Sequence, residues 1–256
     1  MKIGMIGAGA IGTYVLDEIR NEKDFEVESI LIRHLDKYKH LEDEYKVKLY
    51  TDFEKFIESD IDIVVEAANV ETAKKWLPEI LERKDAVIIS IGALADETYI
   101  AKIEDVLKRS GRNLYLPSGA IGGLDFIQNI NAASLLKEVT IETRKPAQTL
   151  VEETLTEEKV VFEGPATEAI KKYPKNVNVS IALSLAGVGL QKTKVVLVAD
   201  PEATENSHTI KVNGETGTAT FAMSNKPLPS NPKSSYQAAV SILGTLKKIQ
   251  QPIKVG

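Results

Sequence analysis

Near the start of the chain, "KIGMI" runs into "GAGAIG", which sets Gly7, Gly9 and Gly12 in the spacing G-x-G-x-x-G. A short apolar strand feeding such a turn, followed by an amphipathic helix, makes a seat for a pyrophosphate. Gly7 permits the tight turn, Gly9 lets the backbone approach the phosphates, and Gly12 lets helix and strand pack closely. The helix N-terminus adds N–H donors and a positive dipole. Together with Ala10 and Ile11 between them, these glycines are the expected dinucleotide contacts. A site for NAD usually closes its second strand with Asp or Glu, which accepts from the ribose 2′-hydroxyl. Here the strand "FEVESILI" ends Leu31-Ile32-Arg33-His34. Ile32 cannot accept a hydrogen bond, and Arg33 brings a planar guanidinium suited to a 2′-phosphate. NADP is therefore expected as well as NAD, with a strand end merely capped in solvent by Arg33 as the alternative.

A second glycine-rich turn, "YLPSGAIGGLD" at residues 115–125, leads into the helical-looking "FIQNINAASLLK". No β-α-β unit follows, so it lacks the setting of a second dinucleotide site. Its backbone N–H groups and small side chains suit a carboxylate and a flat ring in close approach, and a plain hinge is the competing use. The segment "SHTIKV" alternates, placing His208, Ile210 and Val212 on one face and Thr209 and Lys211 on the other. A histidine so placed serves equally as a packed core or edge residue and as a base. His34 and His40 lie by the second strand and read as surface histidines. The absence of cysteine removes disulfides, thiolate catalysis and cysteine-ligated zinc, and no metal site is expected. Arg144, Lys145, Lys175 and Lys233 are candidates to hold an anionic substrate, and the sequence does not choose among them.

Positioning such residues requires a frame, and the order of elements supplies one. "DIDIVVEAAN" (60–69) is a near-continuous apolar strand, as in a parallel sheet covered on both faces. "VETAKKWLPEILERK", "AVIISIGALAD", "DETYIAKIEDVLKRSG" and "NLYLPSG" continue the alternation of helix and strand. This is the pattern of an α/β fold, a Rossmann-type doubly wound parallel sheet with ligand at the carboxyl ends of its strands. Ala67 and Ala68, with Glu66 and Ser90 to Ala93, then face the crevice on topology alone. Beyond Asp125 the strands cluster: 138–146, 159–164, 192–200, 207–212 and 218–223, the last two joined by the turn "NGETG". A second, α+β domain with an open, largely antiparallel sheet follows from that clustering. After the proline-rich "NKPLPSNPKS", residues Tyr236, Val240, Leu243, Leu246 and Ile249 line one face of a terminal helix. That helix is expected to return to the first domain, giving residues 1–118 plus 233–256 to dinucleotide binding. Residues 119–232 then form a substrate, catalytic and dimerisation domain.

Composition bounds the partners. Of 256 residues, 43% are hydrophobic and 27% charged, enough for sizeable cores, and the net charge of -5 argues against a nucleic-acid surface. The most apolar stretch, "VSIALSLAGVGL", is broken by Ser180 and Ser184 and falls short of the ~20 residues of a membrane span. Glycines interrupt the apolar N-terminus and Asp17 and Glu18 follow, unlike a signal peptide. The expectation is a cytoplasmic protein with no membrane partner.

The motifs "PSGAIGGLD", "PKNVNVSIALSLAG", "LVADP", "ENSHTI" and "NPKSSYQAAVSIL" together resemble the L-aspartate dehydrogenase family almost end to end. The resemblance implies oxidation of L-aspartate to iminoaspartate with NAD or NADP, then hydrolysis to oxaloacetate and ammonia, or delivery of the imine to NAD biosynthesis. It implies cofactor contacts at Ala120 and Asn178, a catalytic role for His208, and a homodimer. Many relatives carry Asp where this chain has Ile32-Arg33, which puts strict NAD preference in doubt. The competing possibilities are a two-domain reductase resembling homoserine dehydrogenase or dihydrodipicolinate reductase, and a non-catalytic dinucleotide-binding redox sensor.

Overall fold

The alternation of short apolar runs and amphipathic segments in the first half builds six strands. They are β1 (Lys2–Ile6), β2 (Glu26–Leu31), β3 (Lys48–Tyr50), β4 (Ile63–Glu66), β5 (Asp85–Ile88) and β6 (Leu114–Tyr115). In the computed structural model, which describes residues 1–174 and 178–253, they form one sheet in the order β3-β2-β1-β4-β5-β6. Every neighbouring pair is parallel. All four residues of β4 are buried, as a central strand covered on both faces must be. Strand order reverses between β1 and β4, and the switch point of such a sheet is where a crevice opens.

The helices are α1 (Ala10–Ile19), α2 (Leu35–Tyr38), α3 (His40–Tyr45), α4 (Phe53–Ile57), α5 (Val70–Leu81) and α6 (Glu97–Ser110). Asn69 and Asp96 cap α5 and α6 by accepting from the backbone N–H groups of Thr72 and Tyr99. Gly111, at φ 67°, closes α6 in the left-handed region. The sequence marks those boundaries clearly. Residues 33–59, by contrast, hold elements of three to six residues, too short to show a period.

Among the described residues the chain divides into two compact units, Met1–Pro117 with residues 239–253, and Ser118–Ala238. The terminal helix, Tyr236–Gln250, sends Ile242 and Leu246 fully buried into the same core as Ile3, Met5, Leu16 and Ile30. Leu243 and Ile249 pack against that core, while Tyr236 is 38% exposed. The inward stripe therefore runs Ala239, Ile242, Leu246 rather than starting at Tyr236. Small Ala239 marks it less visibly than the aromatic ring one turn earlier.

In the second unit, α7 (Leu124–Ala132) precedes β7 (Leu136–Pro146) and β8 (Lys159–Pro165). Next come α8 (Ala166–Lys172), α9 (Asn178–Ala186), β9 (Lys194–Asp200), β10 (Asn206–Gly214) and β11 (Gly217–Asn225). The sheet runs β11-β10-β7-β9-β8. It is mixed: β10 is antiparallel to β11 and β7, and β8 to β9, while β7 and β9 are parallel. One face is buried through Val139, Ile141, Leu197, Ile210 and Val212, with α7 packed on β7 and α8 on β8 and β9. The proline-rich connector is itself a short antiparallel pair, β12 (Pro227–Leu228) with β13 (Asn231–Ser235), rather than an open linker.

Candidate functional site

A cavity of about 850 Å³ opens at the carboxyl ends of β1, β2 and β4, lined by Gly7, Gly9, Arg33, Ala67 and Ala68 among others. Gly7 has φ +94°, and a Cβ there would meet Ala68 Cβ at 2.8 Å, so both backbone shape and space demand glycine. At Gly9 a Cβ would meet nothing within 4 Å, which leaves room for a ligand against the backbone. No side chain caps α1 at Gly9, in contrast to α4, α5 and α6, whose caps are Asp52, Asn69 and Asp96. The first N–H groups of α1, those of Ala10, Ile11 and Gly12, are thus left for an anion. The side chains of Ala10 and Ile11 do not line the cavity, and Ile11 packs against the core. Gly12 has a packing role: a Cβ there would lie 2.6 Å from the Gly7 carbonyl oxygen.

At the β2 end, Ile32 is buried and Arg33 donates from Nη2 to Thr72 Oγ1 at 2.9 Å. His34, Lys37 and Lys75 line the same end, so Arg33 stands in a basic cluster, with Glu71 as the acid among the lining residues. His34 is exposed, as its surface assignment required, but it also forms part of the wall. Lys37, Thr72 and Lys75 were not singled out by sequence because their helices, α2 and α5, give no local sign of which face meets β2.

Topology placed Glu66 and Ser90 to Ala93 on the crevice, and here the structure differs. Glu66 is 1% exposed. It accepts from the Ala68 N–H at 2.8 Å, the Ser90 N–H at 3.1 Å and the Ser90 hydroxyl at 2.9 Å. Its carboxylate ties the loop after β4 to the loop after β5, and Ile91–Leu94 form a buried 3₁₀ turn. Burial raises the Glu66 pKa, against the opposing pull of those donors.

The second unit carries the other chemistry. His208, 4% exposed, faces Thr143 across β10 and β7, and its Nδ1 lies 2.9 Å from Thr143 Oγ1. Burial, aided by the positive charge of Lys145, pushes its pKa down to about 4, so the imidazole is neutral at physiological pH. Lys145, two residues along β7 from Thr143, has its own pKa lowered by burial. Arg144 points the other way, ion-paired to Asp200 at 3.0 Å, Glu142 at 3.6 Å and Glu158. Lys175 lies outside the described residues, as does the side chain of Lys233.

The turn after β6 is fastened near the same sheet end. Asn225, in register with Asn206, donates from Nδ2 to the carbonyl of buried Ala120 at 3.0 Å. Gly119, at φ +63°, lies beside Val179 in the first turn of α9, which begins at exposed Asn178. Gly123, at φ +74°, sits against the Phe221 ring, where a Cβ would be 2.7 Å from the ring carbons. Gly7, Gly9, Arg33, Ala67 and Ala68 thus belong to the first unit, and Ala120, Asn178 and His208 to the second. Thr143 and Asn225 carry no signal in the sequence, because a strand threonine or asparagine shows nothing of a partner 65 or 105 residues away. Among the described residues, no group of acidic or histidine side chains is arranged to hold a metal ion.

Comparison with known proteins sets this geometry in context. Residues 125–249 match the family profile described as aspartate dehydrogenase, C-terminal, and residues 7–117 that described as homoserine dehydrogenase, NAD binding domain. An L-aspartate dehydrogenase of Methanosarcina barkeri is 39% identical over 271 residues, spanning 100% of this chain and 99% of that protein. One of Methanocaldococcus jannaschii is 35% identical over 268 residues with the same coverage. The crystal structure of an aspartate dehydrogenase from Thermotoga maritima superposes with a TM-score of 0.82 at 33% identity, covering 100% of this chain and 99% of that one.

Proposed function

This chain belongs to the L-aspartate dehydrogenase family and oxidises L-aspartate with a nicotinamide dinucleotide; we propose that it uses NADP(H) at least as well as NAD(H), and that His208 activates the water that hydrolyses the imine. The first unit is assigned to the dinucleotide and the second to the substrate. The homoserine dehydrogenase-like and dihydrodipicolinate reductase-like readings, and the redox sensor, are not favoured by relatives that match over the whole chain. We also infer a homodimer, supported by the five-stranded sheet, whose edge strand β8 leaves Val160 54% exposed. Among the described residues no helix is long and apolar enough to cross a membrane.

The chain's own residues account for the binding. The uncapped start of α1 presents N–H groups to a diphosphate, Gly9 leaves space for it, and Ala67 and Ala68 keep the opposite wall low. Bound there, the dinucleotide supplies the acceptor for the hydride that leaves the aspartate α-carbon. The observation that carries the NADP assignment is Arg33, with Lys37 and Lys75 beside it and Ile32 where an acid would discriminate against a 2′-phosphate. For Arg33→Ala, the Michaelis constant for NADP should rise roughly tenfold or more, the usual weight of a charge-assisted hydrogen bond. The constant for NAD should barely move. Equal effects on both dinucleotides would refute the assignment.

Hydrolysis of iminoaspartate adds water to the imine carbon and releases ammonia, leaving oxaloacetate. For His208 to take a proton from that water through Nε2, Nδ1 must carry the ring hydrogen and donate it to Thr143 Oγ1. Thr143 is then a positioning residue, which fixes the ring's tautomer and its orientation. A histidine held neutral by burial is ready to accept at any physiological pH.

A further inference from the structure

Within the second unit, the registered strands β7, β10 and β11 put one cation on the face that carries His208. Between Val139 and Lys145 on β7, His208 and Val212 on β10, and Ala219 and Met223 on β11, the residues on that face are apolar except Thr143, His208 and Lys145. Lys145 is two residues from Thr143, whose hydroxyl meets His208 Nδ1. It is partly buried on a face otherwise built for packing. A lysine whose ammonium is held out of bulk water gains more from an incoming anion than an exposed one does. Its charge also acts on His208, which places the two side chains in one electrostatic neighbourhood.

Resting on the assignment of L-aspartate as substrate and of the second unit to its binding, we propose that Lys145 is the substrate-binding cation of the site, taking one of the two carboxylates of aspartate beside the His208 imidazole. The pairing has a chemical logic. A dicarboxylate brings negative charge that must be met on desolvation. Burial does most to depress His208, and an anion at Lys145 offsets the smaller part that the lysine's charge adds, so that the base strengthens when substrate is bound.

The test compares the parent enzyme with Lys145→Met, which keeps most of the side chain's length without its charge, and Lys145→Arg, which keeps the charge. The Michaelis constant for L-aspartate and the competitive inhibition constant of succinate, a dicarboxylate without the amine, should both rise roughly 10- to 100-fold in Lys145→Met. Dinucleotide affinity should stay within about twofold of the parent. Lys145→Arg should recover much of the succinate binding. Should Lys145→Met fail to fold, Lys145→Gln serves with the same expectation, thermal unfolding being followed for each variant. A folded variant whose aspartate and succinate constants match the parent, or one that loses only turnover, overturns the proposal. A parent enzyme with no aspartate-dependent reduction of either dinucleotide would instead refute the substrate assignment on which it rests.

Discussion

Burial gives His208 a titration that can be measured without any substrate. An exposed imidazole titrates near 6.5, whereas in the folded protein it titrates at about 4. Between those values the unfolded chain binds a proton that the native state refuses, so unfolding becomes easier as pH falls. The contribution is fully present above about pH 6.5 and is lost on the way down to about pH 4, with a slope near 1.4 kcal/mol per pH unit. Glu66 works in the opposite sense, since its raised pKa removes stability as pH rises through the folded value. A difference between parent and His208→Asn separates the two. From pH 7.5 to pH 5 the parent should lose about 2 kcal/mol more than the variant in urea unfolding. Parallel curves would mean that the imidazole is not held neutral. At this scale the sequence located His208 and the glycines, whose meaning is local. It did not show Thr143 as the ring's partner, nor that Glu66 turns inward, because both depend on a neighbouring strand.

The first strand, turn and helix are where backbone and ligand compete most closely for space. A methyl group at Gly12 would lie 2.6 Å from a backbone oxygen that cannot swing aside, whereas one at Gly9 meets nothing within 4 Å. Gly12→Ala should therefore shift α1 and destabilise the fold by about 1–3 kcal/mol, the usual cost of overpacking. Gly9→Ala should leave the unfolding midpoint almost unchanged and yet weaken dinucleotide binding. Chemical unfolding and equilibrium dinucleotide titration of both variants check the contrast; similar behaviour of the two would contradict it. Elements with strong ends were legible in sequence: α5 and α6 through Asn69, Asp96 and Gly111, and β10 through its alternation. The short β3 and α2 to α4 were not, since three to six residues carry no usable period. The proline-rich connector read as a linker because its pairing in β12 and β13 involves few residues.

In the whole molecule, one stretch of chain leaves the first unit at Pro117 and comes back at Ala239. The returning helix is part of the core that holds β1 and β2, with Leu246 fully buried beside Ile3 and Met5. Leu246→Ala should cost about 2–5 kcal/mol and weaken dinucleotide binding along with stability, although Leu246 lies at least 234 positions from every glycine of the turn. A variant with normal dinucleotide affinity and a normal unfolding midpoint would place that helix elsewhere. The family motifs identified the reaction, and the structure adds how the histidine is oriented and buried. The most direct test of the account is the rate of L-aspartate-dependent dinucleotide reduction by His208→Asn, followed from the first turnover into steady state. A rapid first turnover should be followed by a steady-state rate lowered roughly 10²- to 10⁴-fold, with dinucleotide affinity unchanged. Near-parent steady-state turnover would contradict it.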